Sequence, residues 1–565
     1  MKLAFRKAFL FALPLALAAC VKTNPELGKD LIDQSLLYDT STIEFPIEDI
    51  RLRRADDLSG FSDPRITLGA IRDETFGLTT RASAFTLVPA LDTLDIGTDP
   101  QFVKFTVRFA ADTISVAQEG QEHIFQNLYI YELTDTLSTK LTGTNRDIPH
   151  GTEIVSRGIP VYNGMDSLSF ELTPAYGQKV IDAIKRLGPV LADRSEDHPV
   201  NKYSDYIKAV PGIYIETDIP EGIGGRINLF DLSVLSVSNN YYYRNNNVAT
   251  LKINSIFDGV RKDTTFLFIP GEPAFYNEAE YMENNKKFYQ YAFNRTTHEA
   301  PERSAVDNIL IEGGGGLKPV FPVAPLRDKV VAAILEYGGD PAKTVINKAS
   351  IILPYERPED DRAVDLFPSM LSPTIRLTSD EGVVSFGGLP DASASSENQG
   401  YLDRANLRYA PDITYHLQEI LRRTDLDTKD NADIWLLTVH SETVANANGN
   451  AEQEAYYQQM MYAMYYNNLY GGYGGYGGYG GYGGYGGYGY GGYGGYGGYS
   501  NYYNYLMMAQ MYANMNQTTY STTQELDKYR FYRRILNGPA ATTQDAFTGN
   551  PRVPMFRVTF SVPKG

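Results

Sequence analysis

The sequence predicts a mainly β protein: two tandem antiparallel β-sandwich (jelly-roll-like) domains, each with a short helix, plus a Tyr/Gly/Met-rich hairpin insertion. Three observations carry this expectation. Several segments alternate apolar and polar residues with period two, the mark of half-buried strands. Helix-start signals are few. One order of strands and helix occurs twice along the chain.

In chain order, VKFTVRF at 103–109 alternates strictly, and NLYIYEL at 127–133 and GIYIE at 212–216 follow the same pattern. A strand is also read at 167–172. Thr173-Pro174 places a capping residue before a proline at the first helical position, and VIDAIKRL continues at helical spacing, so a helix is expected over 174–187. The second half repeats the order, with strands at 348–354, 373–378 and 406–409, a helix at 415–423 after Thr414, and a strand at 433–439. MFRVTFSV at 555–562 reads as the closing strand, and Trp435, the only tryptophan, as a core residue. The expected organisation is therefore a first sandwich at 46–280 and a second at 281–565, joined by a polar linker within 275–305.

The length of 565 residues allows three or four average domains, or two of the larger all-β kind. A 43% hydrophobic fraction can bury a sizeable core. The net charge is −17, or −20 without Lys2, Arg6 and Lys7, which argues against nucleic acid as a partner. Cys20 is the single cysteine, so an intramolecular disulfide and a cysteine-based metal site are both excluded.

The N-terminus reads as an address. Lys2, Arg6 and Lys7 precede the apolar run AFLFALPLAL at 8–17, which is too short to span a bilayer. The run ends in Leu17-Ala18-Ala19-Cys20, the pattern of a bacterial lipobox. Residues 1–19 are thus an expected lipoprotein signal peptide, Cys20 the lipidation site, and 20–45 a lipidated tether. Val21 stands where an aspartate would suggest inner-membrane retention, so the expected location is the outer membrane. Which face of that membrane is left open.

Between Glu454 and Glu525 there is no charged residue. The centre, from Tyr470 to Tyr499, is a run of Tyr-Gly-Gly triplets, flanked by Met/Tyr/Asn/Gln-rich arms of similar composition. We read 455–524 as a low-complexity hairpin insertion in a loop of the second domain. It has three readings: a partner-binding tip, since tyrosine is enriched in recognition surfaces; a segment in the bilayer interface; or an expanded repeat without function.

Several segments come in a recognisable order: the lipobox start, TLGAIRDETFGLTTRASAFTL at 67–87, NLYIYELTD at 127–135, VPGIYIET at 210–217, ILIEGGGG at 309–316, NKASIILP at 347–354 and RYAPDITYHLQEIL at 408–421. Together they resemble the lipoprotein family of Bacteroidota-type bacteria catalogued as domain of unknown function 4270. The similarity covers nearly the whole mature chain outside the Tyr-Gly insertion. It implies a location and a general architecture, and supplies no mechanism or site residues.

No residue pattern points to catalysis, and the expectation is a protein that is not an enzyme, with no cofactor and no metal. The histidines are His123, His150, His198, His298, His416 and His440, none within four residues of another, so no HExxH pair exists. Gly313–Gly316 before Lys318 has two readings, an anion-binding loop or a glycine-rich turn between strands, and the turn is favoured. His416, His440 and Asp433 could meet in space, although packing is the simpler role. Asp412 before Thr414 reads as helix-start electrostatics. The acids Glu356, Glu359, Asp360 and Asp361 lack the alternating spacing of a calcium loop and read as solvated. The better lead is aromatic. Tyr241, Tyr242 and Tyr243, set among asparagines, read as a turn between strands whose rings stack on sugars or on partner side chains.

These observations converge on an outer-membrane-anchored lipoprotein acting as a binding or structural accessory subunit of a cell-envelope complex. Its expected partners are the membrane, through lipid on Cys20, and an outer-membrane protein, with Tyr470 and Tyr499 bounding the contact tract. An uncharged insertion left bare would be an aggregation liability, and this favours a protein partner. The alternative is a carbohydrate-binding surface lipoprotein with an aromatic platform on one sandwich face, and the third reading is a glycan-active enzyme.

Overall fold

The computed structural model describes residues 38–565 apart from 63–64, 138–142, 166, 194–199, 232–233, 238–239, 244–247, 272–291, 380–383, 390, 392–399, 424–431, 447–518, 528–529, 531–532, 547 and 564–565. The expected signal peptide, Cys20, His198, and the insertion up to residue 518 with Tyr470 and Tyr499 lie outside the described residues.

The chain is mainly β, folded into several antiparallel sheets with few helices. Two large hydrophobic cores form. One is centred on Phe85, Phe105, Phe109 and Phe268, the other on Phe321, Ile351, Tyr409 and Phe556. The same pairing scheme builds both units. In the first, Thr98–Ala117 pairs with Leu168–Leu172, and Gln126–Leu133 pairs with Ile213–Thr217. In the second, Val345–Pro354 pairs with Arg408–Tyr409, and Met370–Thr378 pairs with Ile434–Asn446. On its other side Thr98–Ala117 takes Ala249–Phe257 and then Val260–Gly271, while Val345–Pro354 takes Met555–Pro563 and then Tyr38–Pro46.

Each unit places a helix on the first strand of this scheme. In Pro174–Leu187, Thr173 Oγ1 accepts the Tyr176 N–H at 3.3 Å and Pro174 opens the first turn. Its buried face, with Tyr176, Val180, Ile181 and Ile184, packs towards Phe105. The second helix, Thr414–Ile420, starts differently from expectation. Thr414 Oγ1 accepts the Ala349 N–H, and the carboxylate of Asp391 accepts the Tyr415 and His416 amides at 2.6 and 3.1 Å. Asp412 accepts the Thr414 amide at 2.9 Å, a local turn bond at the helix start. A helix over Val323–Glu336, not expected from sequence, buries Leu326, Val330 and Ile334 at four-residue spacing. Its first amide, that of Val323, is capped at 3.1 Å by Asp433, just ahead of the strand Ile434–Asn446.

The units do not divide at 280/281. Tyr38–Pro46 and Arg51–Arg54 pair with strands of the second unit, whereas Ala292–His298 pairs with Gly77–Pro89 in the first. The tether expected over 20–45 therefore gives way to a strand at Tyr38. Its first four residues show no buried face because the strand lies at a sheet edge, tied by backbone pairing and by Thr40–Ser561 and Thr42–Thr559 hydroxyl contacts of 2.8 and 2.9 Å.

The first unit also carries Arg65–Asp73 and Gly224–Asp231, which complete a 13-stranded sheet. Its ladder closes on itself because the end of Gly77–Pro89 pairs with the end of Val260–Gly271. Where the two added strands meet, Gly69 has φ +145°, and a Cβ there would lie 2.1 Å from the Arg226 carbonyl oxygen. In the second unit, Ile434–Asn446 outruns its neighbour. Residues 434–439 pair with Met370–Thr378, and from Val439 onward the strand pairs with Thr519–Leu526. The ends of 447–518 are thus held opposite one another, at Asn446 and Thr519.

Candidate functional site

The densest group of buried charge lies where the two units meet. The hairpin of Arg65–Asp73 and Gly77–Pro89, together with Ala292–His298, supplies Asp73, Thr79, Arg81 and His298. Asn308–Glu312, Leu317–Phe321 and Arg533–Asn537 supply Glu312, Lys318 and Arg533. All seven side chains are buried or nearly so.

Glu312 is the centre. Its Oε2 accepts the Leu317 amide at 3.1 Å, and its Oε1 lies 3.3 Å from His298 Nδ1 and 4.0 Å from Arg533 Nε. Burial would raise its pKa, but these partners hold the carboxylate at about 2. His298 Nδ1 also lies 3.2 Å from Thr79 Oγ1, and burial lowers the imidazole pKa. Donation from Nδ1–H to Glu312 fits a neutral ring.

Lys318 settles the role of the glycine run. Gly313–Gly316 is the turn between Asn308–Glu312 and Leu317–Phe321. The Lys318 ammonium folds back over it and donates to the carbonyls of Glu312, Gly314 and Gly316, the last two at 2.9 and 3.2 Å. A cation thus fills the position an anion would need. Burial brings its pKa down to about 7. Arg81 lies against the same turn, where a Cβ on Gly314 would fall 2.4 Å from its guanidinium. Its pKa falls to about 10, again through burial.

Arg533 joins the units. It pairs with Asp73, donates to Thr79 Oγ1 at 2.9 Å and to the Gly77 carbonyl at 3.2 Å, and stands 5.4 Å over the Phe76 ring. Asp73 also accepts the Thr75 and Phe76 amides of its own turn. DETFG at 73–77 and ILIEGGGG at 309–316, far apart in the chain, therefore meet here. With Glu312, Lys318 and Arg81 shut off from solvent, the cluster is a joint between the two units.

A second group lies on the outer face of the large sheet. His150 stacks between Tyr131 and Tyr214, with ring centroids 4.9 and 4.4 Å apart. Tyr214 OH donates to Glu216 at 3.2 Å, and burial pushes the phenol pKa up. Tyr129 is half-buried two residues from Tyr131 on the same strand.

The other sequence-derived candidates separate. Tyr241, Tyr242 and Tyr243 form a strand rather than a turn, Asn240–Tyr243, in a two-stranded ribbon with Val234–Val237. Alternation in this ribbon is masked in the sequence by three consecutive tyrosines. His416 Nε2 contacts the Ala432 carbonyl at 3.0 Å, Asp433 caps the helix at Val323, and His440 pairs in register with Glu525. His416 and Asp433 thus have separate partners. Asp360 caps a 3-10 turn, Asp361 pairs with Arg357, and Glu356 accepts from Asn537 at 2.6 Å. No metal-ligating group of three or more acids, histidines or cysteines occurs among the described residues. Trp435 is buried edge-on to Phe386, at 5.3 Å.

Comparison with protein-family models, with curated proteins and with solved structures finds no match to this chain.

Proposed function

We propose that this chain is a non-catalytic, outer-membrane-anchored lipoprotein that serves as a binding or structural accessory subunit of a cell-envelope protein complex. The observation that carries the reading is the stem made by Ile434–Asn446 and Thr519–Leu526. It leaves its sheet as a two-stranded ribbon and holds the two ends of the uncharged Tyr/Gly/Met-rich segment together. A recognition segment held at both ends pays less ordering entropy on binding than a free tail. The Leu17-Ala18-Ala19-Cys20 motif supports acyl anchoring, and the resemblance to the family of domain 4270 supports the location.

The test is mild crosslinking and pull-down from native membranes, comparing wild type with a deletion of 455–518 that keeps the stem. A defined outer-membrane partner recovered with wild type alone is expected. Recovery of both forms without a partner sinks the reading. Fatty-acid labelling lost in Cys20→Ser tests the anchor separately.

A second reading, glycan binding, is favoured by the Tyr131–His150–Tyr214 row with Tyr129 beside it, since aromatic faces and edges suit sugar rings. Loss of glycan-array signal in Tyr129→Ala/Tyr131→Ala would support it.

A further inference from the structure

Exposed large apolar side chains gather at one end of the first unit. Phe125, Ile159, Val161, Met165, Ile219 and Ile223 are between 48% and 76% exposed. They come from three loops that the pairing brings together. Asn127 stands opposite Val161, so Phe125 is its diagonal neighbour. Asp218 accepts from the backbone and side-chain amides of Asn127 at 3.2 and 3.1 Å, which sets Ile219 beside the same strand. Ile223 precedes Gly225, whose amide bonds Gln121 Oε1 at 2.6 Å.

The loops are held from beneath by one cation. Arg226 is fully buried and donates to the carbonyls of Glu122, Ile124 and Tyr162 at 2.9, 2.7 and 3.1 Å. Asn228 Oδ1 accepts from its Nε at 2.7 Å. The tip is therefore pre-organised, and docking on it would cost little loop entropy.

The rim is acidic. Glu119, Glu122 and Glu221 are exposed around the apolar centre, and none has an ion-pair partner among the described residues. Of the basic side chains of these loops, Arg157 is 3.4 Å from Glu171, and His123 is exposed beside Glu122. An apolar centre within a polar rim is the anatomy of a protein interface. We propose that this tip is a docking surface for a protein partner whose apolar patch is bordered by lysine and arginine. Anionic headgroups would be repelled by the rim, and a second copy would set acid against acid. The surface is distinct from the stem at Asn446 and Thr519, so this proposal does not rest on the function proposed above.

The test uses the full chain and defined probes: a short amphipathic Leu/Lys helix, its Leu/Glu counterpart, and vesicles of phosphatidylcholine with or without phosphatidylglycerol. Wild type should bind the Leu/Lys helix at least about tenfold more tightly than the Leu/Glu helix. Phe125→Ser/Ile223→Ser should lose about tenfold, and Leu91→Ser, at a site 68% exposed elsewhere, should not. Glu119→Lys/Glu122→Lys/Glu221→Lys should reverse the peptide preference. All the substituted side chains are exposed, so unchanged melting is expected. Equal peptide binding by wild type and the Phe125→Ser/Ile223→Ser variant overturns the proposal. So does vesicle binding, or self-association by sedimentation, that this variant abolishes.

Discussion

Glu312 is the carboxylate that faces His298 and Lys318 in the joint, with Arg533 4.0 Å away, and its loss removes that buried negative charge from beside the Lys318 and Arg533 cations. Glu312→Gln should destabilise the chain by about 3–5 kcal/mol, read from urea unfolding. A cost below about 1 kcal/mol would mean that water reaches the site. The joint also sets the pH response. The His298 pKa lies below its usual 6.5, so under acid the unfolded chain binds a proton the folded chain does not, and stability falls as the pH drops below 6.5. Glu312, held at about 2 against an ordinary 4.5, adds a second loss between those values. Lys318 acts at the other end. Its pKa of about 7 against 10.5 makes stability rise with pH between those values, and Lys318→Met should flatten that rise. Unfolding midpoints across this range, with His298→Gln to remove the first acid step, check each assignment. The turn before Lys318 was legible from its glycines. Glu312, Arg81 and Arg533 were not, because their partners are distant in the chain: Arg533 and Asp73 are 460 residues apart.

Strands with one buried face, such as Gln126–Leu133 and Met555–Pro563, were legible because alternation is written locally. So was Pro174–Leu187, whose cap is its own Thr173. The helices of the second unit were harder to read because Asp391 and Asp433 cap them from other segments. The cap at Thr414–Ile420 carries a cost, since burial pushes the Asp391 carboxyl up to about 6 despite two amide donors. Asp391→Ala should still lose about 0.5–2 kcal/mol, because both amides are then left without the carboxylate. An unchanged melting temperature would show that water replaces it. Gly69 makes the matching case for sheets. In an unstrained strand, Gly→Ala is neutral or favourable, but here φ is +145° and the Arg226 carbonyl occupies the Cβ position. Gly69→Ala should cost about 1–3 kcal/mol, and hydrogen exchange should show the loss first in Arg65–Asp73 and Gly224–Asp231.

At the scale of the molecule, the repeated pairing scheme and the crossed segments decide how the chain can be cut. A boundary chosen on polarity falls near 280, yet the first unit still needs Ala292–His298. Phe293 is fully buried there. Asn294 Oδ1 accepts the Thr67 amide at 2.9 Å, and its Nδ2 donates to the Arg65 carbonyl at 3.0 Å. A fragment of 46–280 lacks these groups and carries Arg51–Arg54, whose partners are Leu317–Phe321 and Arg303–Ser304 in the other unit. Its Gly77–Pro89 strand would present an unpaired edge beside an open apolar pocket, the arrangement that promotes aggregation. A fragment of 55–300 keeps the whole first core. It exposes the joint, whose Arg81 and His298 would be solvated once Glu312 and Lys318 are gone, together with Ala55, Leu58 and Phe76, which cluster with residues of the second unit. The expected result is a single cooperative thermal transition for 55–300 and aggregation or a broad transition for 46–280. Equal behaviour of the two would show that Ala292–His298 adds little to the first unit. Glu312→Gln, by weakening the joint, should then separate the transitions of the two units.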